Sequence, residues 1–280
     1  MTVPVFNLAP DLPISRLCLG TMTFGEQSSL PESFRLLDHA FHSGISFFDS
    51  AEIATTCGNP RKKRGVPGPL GQGEENLALS RCSFYEVSQV SGPSGQMTWI
   101  RGGPSSLDPL NITAAIDSSL RRLQMDYIDL YQIHWPDRYV PMFGETDYDP
   151  SRQYDSVGVD DQLEALGKAV NAGKIRYVGL SNETPYGVMK FIHASQRDSR
   201  YPNVISLQNA YNLLCRNFDA GLAECCHHEN ISLLAYSPLA MGILSGKYYA
   251  TGKGPTDARI NLFKGKKGDT LNEHDIIFFA

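Results

Sequence analysis

The chain has 280 residues, with 25 Lys and Arg against 30 Asp and Glu, a formal net charge of −5. That length suits one large α/β domain, since a (β/α)₈ barrel takes roughly 250 residues. An apolar fraction of 41% and an aromatic fraction of 10% supply a core and exclude general disorder. The mild acidity argues against nucleic acid as a partner, because phosphate binding wants a basic face. No apolar run approaches the ~20 residues that a membrane helix needs.

Strand-like apolar runs alternate with helical patterns along the chain. Leu17 to Gly20 reads as a short strand. Ser29-Leu30-Pro31-Glu32 reads as a helix start with Pro31 in its first turn, and Gly44 as the stop. Between them Phe34, Leu37, Ala40 and Phe41 share one face. Ile45 to Asp49 is the next strand. Asn111 is expected to cap a helix carrying Ile112, Ala115, Ile116, Leu120 and Leu123. A strand over Tyr127–His134 follows, then a helix opened by Asp160-Asp161 and closed by Gly173. The remaining elements are a strand at Tyr177–Leu180, a helix at Pro185–Ala194, a strand at Val204–Leu207, a helix at Asp219–Cys226 and a strand at Ile231–Tyr236.

Continuous apolar strands that alternate with helices predict a parallel sheet covered by helices. Polar residues gather at the strand ends: Asp49, His134, Ser181-Asn182, Gln208-Asn209 and Ser237. In such folds that edge is where sites are built. No GxGxxG follows the first strand, which counts against a dinucleotide-binding doubly wound sheet.

Six cysteines match no zinc spacing, and the chain is too long to need disulfide staples, so reduced thiols are expected. Cys225-Cys226-His227-His228 carries ligand-type residues, but neighbours on a helix point apart, so no metal is predicted. The start shows no signal peptide, so a cytoplasmic location is expected, or a plastid one if a transit peptide precedes this chain.

Two segments break the pattern. Between Cys57 and Gly73, glycine and proline take eight of seventeen positions around Arg61-Lys62-Lys63-Arg64. A helix should connect parallel strands here, and that composition cannot supply one. The tail from Lys264 carries no helical apolar period.

Four motifs carry a family resemblance. Phe48-Asp49-Ser50-Ala51-Glu52, Asp126 to Pro136 (DYIDLYQIHWP), Gly173 to Asn182 (GKIRYVGLSN) and Ala235-Tyr236-Ser237-Pro238-Leu239 resemble the aldo-keto reductases. Leu19 to Gln27 and the run from Trp135 to Gly144 are similar to the Tas-type branch. The resemblance covers residues 12–52 and 91–265. It implies a single domain over 1–280, a (β/α)₈ TIM barrel, NADPH as cofactor and a small carbonyl compound as substrate.

The family's chemistry needs a hydride donor and a proton for the carbonyl oxygen as negative charge develops on it. A tyrosine gives that proton, and a lysine lowers its pKa from ~10. An aspartate holds the lysine, and a histidine orients the carbonyl. By motif position Asp49 is the aspartate and His134 the histidine. The tyrosine position holds Ala54, and the lysine position falls at about Gln89. Neither can do the work, so this chain is expected to be impaired. A non-catalytic nicotinamide-binding module and an unstable product of a mis-joined gene are the alternatives.

The resemblance also implies a cofactor site. Ser181, Asn182 and Gln208 match positions that hold the nicotinamide carboxamide, and Tyr236 the ring that stacks on it. Gly20, Thr21 and Met22 lie in the first strand–loop motif. Ser237, Leu239 and Gly242 match the loop that passes the pyrophosphate, with Lys247 and Arg259 facing the 2′-phosphate. The block 53–90 matches nothing in the family and is read as an aberrant loop-like segment that replaces the second helix and third strand. The tail 264–280 is read as aberrant, leaving the eighth βα unit missing.

Overall fold

A computed structural model describes residues 3–22, 24, 28–52, 85–93, 100–142, 147–249, 254–256, 258 and 260–261. Two antiparallel strands, β1 (Val5–Ala9) and β2 (Leu12–Ser15), form an N-terminal hairpin that the sequence patterning did not signal. Then come β3 (Cys18–Gly20), α1 (Leu30–His42), β4 (Phe47–Asp49), β5 (Tyr85–Val90), α2 (Pro109–Leu123) and β6 (Ile128–Ile133). They are followed by α3 (Val159–Asn171), β7 (Ile175–Ser181), α4 (Pro185–Arg197), β8 (Val204–Ala210), α5 (Leu222–His228) and β9 (Ser232–Tyr236).

Local sequence fixes the helix ends. Ser29 is the extended residue before α1, and Gly44 follows it with φ +90, a conformation that glycine adopts without steric cost. The expected cap of α2 is corrected: Asp108, not Asn111, is the N-cap, accepting from the Asn111 backbone N–H at 2.9 Å. Asp108 reaches two residues past Pro109, whose missing N–H costs nothing in the first turn. Such a cap contributes about 1 kcal/mol.

Strands β3 to β9 form one sheet in sequence order, every neighbouring pair parallel. Order and direction together put all seven C-terminal ends along one edge. The sheet is the curled, helix-covered half of a (β/α)₈ barrel. Outside it, α2, α3, α4 and α5 pack on the strands through one large cluster that includes Ile112, Ile116, Leu163, Leu166, Val188, Phe191 and Leu222. Inside, the hairpin residues Leu8, Leu12 and Ile14 meet Phe47, Val87 and Leu130, so β1–β2 plugs the N-terminal end. Arg176 fastens the plug, bonding Asp11 at 2.7 Å on the hairpin and the buried Asp129 at 2.7 Å on β6.

The expected loss of the third strand is corrected. Tyr85–Val90 is an ordinary inner strand, buried from Glu86 to Val90 and paired in register with both β4 and β6. Its outer and inner faces alternate: Glu86 accepts from the Ser50 hydroxyl at 3.0 Å, while Val87 enters the interior core. The stretch Tyr-Glu-Val-Ser-Gln-Val lacks a clean apolar alternation, since Val87 faces the interior and Val90 the helix side, so its strand was hard to read. The Gly/Pro-rich stretch 53–84 and the tail 264–280, with the expected missing eighth unit, lie outside the described residues.

The outermost strands differ from the inner ones. Every residue of β6 is buried, whereas β3 and β9 contain no buried residue. They are the two edges of the curled sheet, where a single layer of neighbours leaves side chains open.

Candidate active site

The shared C-terminal edge brings most of the predicted residues together. Asp49 ends β4, Gln89 stands one residue before the end of β5, and His134 follows β6. Ser181 ends β7 and Tyr236 ends β9. Gln208 sits in β8 directly opposite Ser181 in the ladder.

Asp49 is the centre of an amide network. Gln89 Nε2 donates to Asp49 Oδ1 and Oδ2, both at 2.9 Å. Gln208 Nε2 donates to Asp49 Oδ2 at 2.8 Å and to Gln132 Oε1 at 3.1 Å. Gln89 Nε2 also reaches Gln208 Oε1 at 3.3 Å. Gln89 therefore meets both oxygens of Asp49 with an amide dipole and not with a charge. Burial pushes the Asp49 carboxyl up to about 6, against the lowering effect of the Gln208 and Gln89 hydrogen bonds. Gln132 is a member of this network that the sequence reading missed. A glutamine inside the apolar strand Ile128–Ile133 was the signal available.

A second cluster adjoins the first. Tyr236 OH donates to Asn182 Oδ1 at 2.7 Å. Asn182 Nδ2 donates to the His134 backbone oxygen at 2.8 Å and to Ser181 Oγ at 3.2 Å. Ser181 Oγ donates to the Gln208 backbone oxygen at 2.8 Å. Asn182 has φ +55, and these side-chain bonds hold it in that left-handed geometry. Burial drives the His134 imidazole down to about 4, and its Nδ1 is a buried atom without a hydrogen-bond partner. A neutral imidazole with an unspent ring nitrogen suits an uncharged polar ligand group.

Thr21 joins the site at the Asp49 backbone, its N–H and its Oγ1 hydroxyl both donating to the Asp49 carbonyl at 2.8 and 2.9 Å. Its neighbours Gly20 and Met22 are exposed. Beyond β9 the chain turns through an unusual backbone: Ser237, Ala240, Met241 and Gly242 all have positive φ. Each such non-glycine residue costs on the order of 1 kcal/mol, and such strain clusters where a loop is shaped for a ligand. Leu239 is exposed, and Lys247 folds back over Gly242, where a Cβ would lie 2.4 Å from Lys247 Cε. Arg259 lies outside the described residues, as does Ala54.

The sequence model of the Aldo/keto reductase family matches residues 16–273. The chain belongs to the aldo/keto reductase family. It is 41% identical over 253 residues to Protein tas of Escherichia coli (strain K12), covering 90% of this chain and 72% of that one. It is 46% identical over 188 residues to an aldo-keto reductase of Babesia bovis, covering 63% of this chain and 65% of the relative. It is 29% identical over 243 residues to L-glyceraldehyde 3-phosphate reductase of E. coli (strain K12), covering 85% and 61%. The family is one of oxidoreductases on a (β/α)₈ barrel, and the Tas-type affinity expected from the motifs accords with the first of these relatives. Among the described residues no helix is long and apolar enough to cross a membrane.

The residues present fit a nicotinamide. Its carboxamide both donates and accepts, as do Ser181, Asn182 and Gln208, and Tyr236 offers an aromatic face beside them. Beside Asp49 stands the Gln89 amide, which carries no charge.

Proposed function

We propose that this chain is an NADPH-binding aldo/keto reductase whose power to reduce aldehydes and ketones is impaired. The observation that carries the reading is the Gln89 amide on both oxygens of Asp49, at 2.9 Å each. NADPH, when bound, supplies the hydride. Ser181, Asn182 and Gln208 would hold its carboxamide, and Tyr236 would stack on the ring. The strained loop Ser237–Gly242 would follow the pyrophosphate, and Lys247 and Arg259 would meet the 2′-phosphate. Gly20, Thr21 and Met22 would border the nicotinamide from the first barrel strand.

His134 would orient the carbonyl through its ring nitrogen. Asp49 keeps its place but has no ammonium to hold, and Gln89 cannot stabilise a phenolate, because an amide carries no charge. Ala54 gives no proton. The substrate would be a small carbonyl compound, and a cytoplasmic setting suits the cysteine usage. The same Gln89 contact favours a second reading, a nicotinamide-binding module that does no chemistry. Titration of the purified chain with NADPH, followed by addition of a reactive aldehyde, tests both. Binding with residual turnover supports the impaired reductase, and binding with none supports the module. Absence of NADPH binding at millimolar concentration would overturn both.

A further inference from the structure

The interior face of the sheet carries a polar row beside Asp49. Gln89, Gln132, Gly179, Ser206 and Ser232 are successive ladder partners from β5 to β9, so they stand side by side across five strands. Nearer the N-terminal ends the interior turns apolar, with Val87, Leu130 and Tyr177 in one cluster.

Ser206 reaches this row through a bulge. Val178 pairs with Val204 and Gly179 with Ser206, which leaves Ile205 as an extra residue in β8. Val204 and Leu207 pack on the helix side, while Ile205 packs with the interior cluster. The extra residue turns Ser206 inward as well, over Gly179. Bulges re-aim side chains in this way.

Two polar atoms beside Gly179 have no hydrogen-bond partner among the described residues. Gln132 Nε2 and Ser206 Oγ are both buried, on residues that are 0% exposed. Both lie within 3.2 Å of the point that a Cβ on Gly179 would occupy. The bond from Gln208 Nε2 to Gln132 Oε1, at 3.1 Å, fixes which way that amide faces, so its donor end is the one turned to Gly179. Gln89 Oε1, one strand away, is a third buried atom without a bond. Water satisfies all three atoms in the unfolded chain, so a dry interior would forfeit those bonds. An amide donor and a hydroxyl that meet across a glycine suit a very small molecule that both accepts and donates.

We propose that Gln132 Nε2 and Ser206 Oγ bind an ordered water beside Gly179. The water accepts from the amide and bonds the hydroxyl, which extends the Asp49 network through Gln208 and Gln132 to the bulge of β8. The site rests on the interior lining alone and stands whether or not the chain binds NADPH.

A crystal structure of the full chain that resolves solvent tests the site first. A peak within hydrogen-bond distance of both atoms is expected, and a direct Gln132–Ser206 bond or no peak would overturn the proposal. Ser206→Ala gives a second reading that needs no crystal. A hydroxyl without any bond is unfavourable in the interior, so its removal would raise the urea midpoint. A hydroxyl bonded to water supports the Gln132 amide through it, so its removal should lower the midpoint. Oxygen-17 relaxation dispersion of water should also count one long-lived internal water fewer in the variant. A midpoint that is unchanged or raised, or an unchanged water count, would overturn the site.

Discussion

Asp49 and His134 should hide one another's effect on stability. Asp49 titrates near 6 in the folded chain, raised by burial from its ordinary 3.8. His134 titrates near 4, lowered by burial from 6.5. Between about pH 4 and 6 the folded chain keeps Asp49 protonated and His134 neutral. Over the same range the unfolded chain has the carboxyl ionised and the imidazole charged. The two states bind the same number of protons at this pair, so its contribution to the pH slope is near zero.

Removing either group exposes the other. In Asp49→Asn only His134 remains, and its unfolded form binds the extra proton, so stability should rise with pH across the window. In His134→Gln only Asp49 remains, its folded form binds the extra proton, and stability should fall as pH rises. Each slope is at most about 1.4 kcal/mol per pH unit, and incomplete titration near the ends of the window trims it to about 1. Urea denaturation midpoints at pH 4.5, 5.0, 5.5 and 6.0, chosen to span about that window, read the slopes directly. Slopes of the same sign in the two variants would refute the reasoning, as would a steep wild-type slope that neither variant alters.

Other substitutions probe the scaffold of the site. Gly92→Ala places a Cβ 2.4 Å from Trp135 Cδ1 and 2.6 Å from the Trp135 carbonyl oxygen, and that backbone atom cannot step aside. A loss of about 1–3 kcal/mol, with altered indole fluorescence, is expected; a neutral result in denaturant melts counts against the packing described. Arg101→Leu removes the guanidinium that pairs with the buried Glu52, three residues after Asp49. A cost of about 3 kcal/mol is expected, because a buried carboxylate loses its cation, and a change under about 1 kcal/mol would show that the pair is idle. Asn182→Ala removes the bonds to His134, Ser181 and Tyr236 that hold φ +55 at this position. NADPH affinity should fall by at least about tenfold, and an unchanged dissociation constant would remove Asn182 from the cofactor site.

Much of the fold was legible because inner strands and amphipathic helices write different periods. The strands at Tyr127–His134 and Tyr177–Leu180 stood out as largely apolar runs, and on α2 the spacing named Ile112, Ala115, Ile116 and Leu123, all buried. The hairpin was not legible, since Val5 and Phe6 are exposed and only the Ala9 end and β2 pack inward. Strand β5 escaped because its two valines face opposite sides, leaving no alternating apolar signal. Of the residues that motif position singled out, Asp49, His134, Ser181, Asn182, Gln208 and Tyr236 lie together at or near the C-terminal strand ends. Gln132 escaped because its importance lies in which amide it touches.

The proposed impairment comes down to two positions, Ala54 and Gln89, where the resemblance calls for a phenol and a charged lysine. NADPH oxidation with a reactive aldehyde, compared between the wild-type chain and Ala54→Tyr/Gln89→Lys, tests it most directly. The account predicts near-background turnover in the wild type and a gain of at least about 10²-fold in the double variant, the scale of general acid catalysis. Wild-type turnover equal to that of the double variant would contradict it.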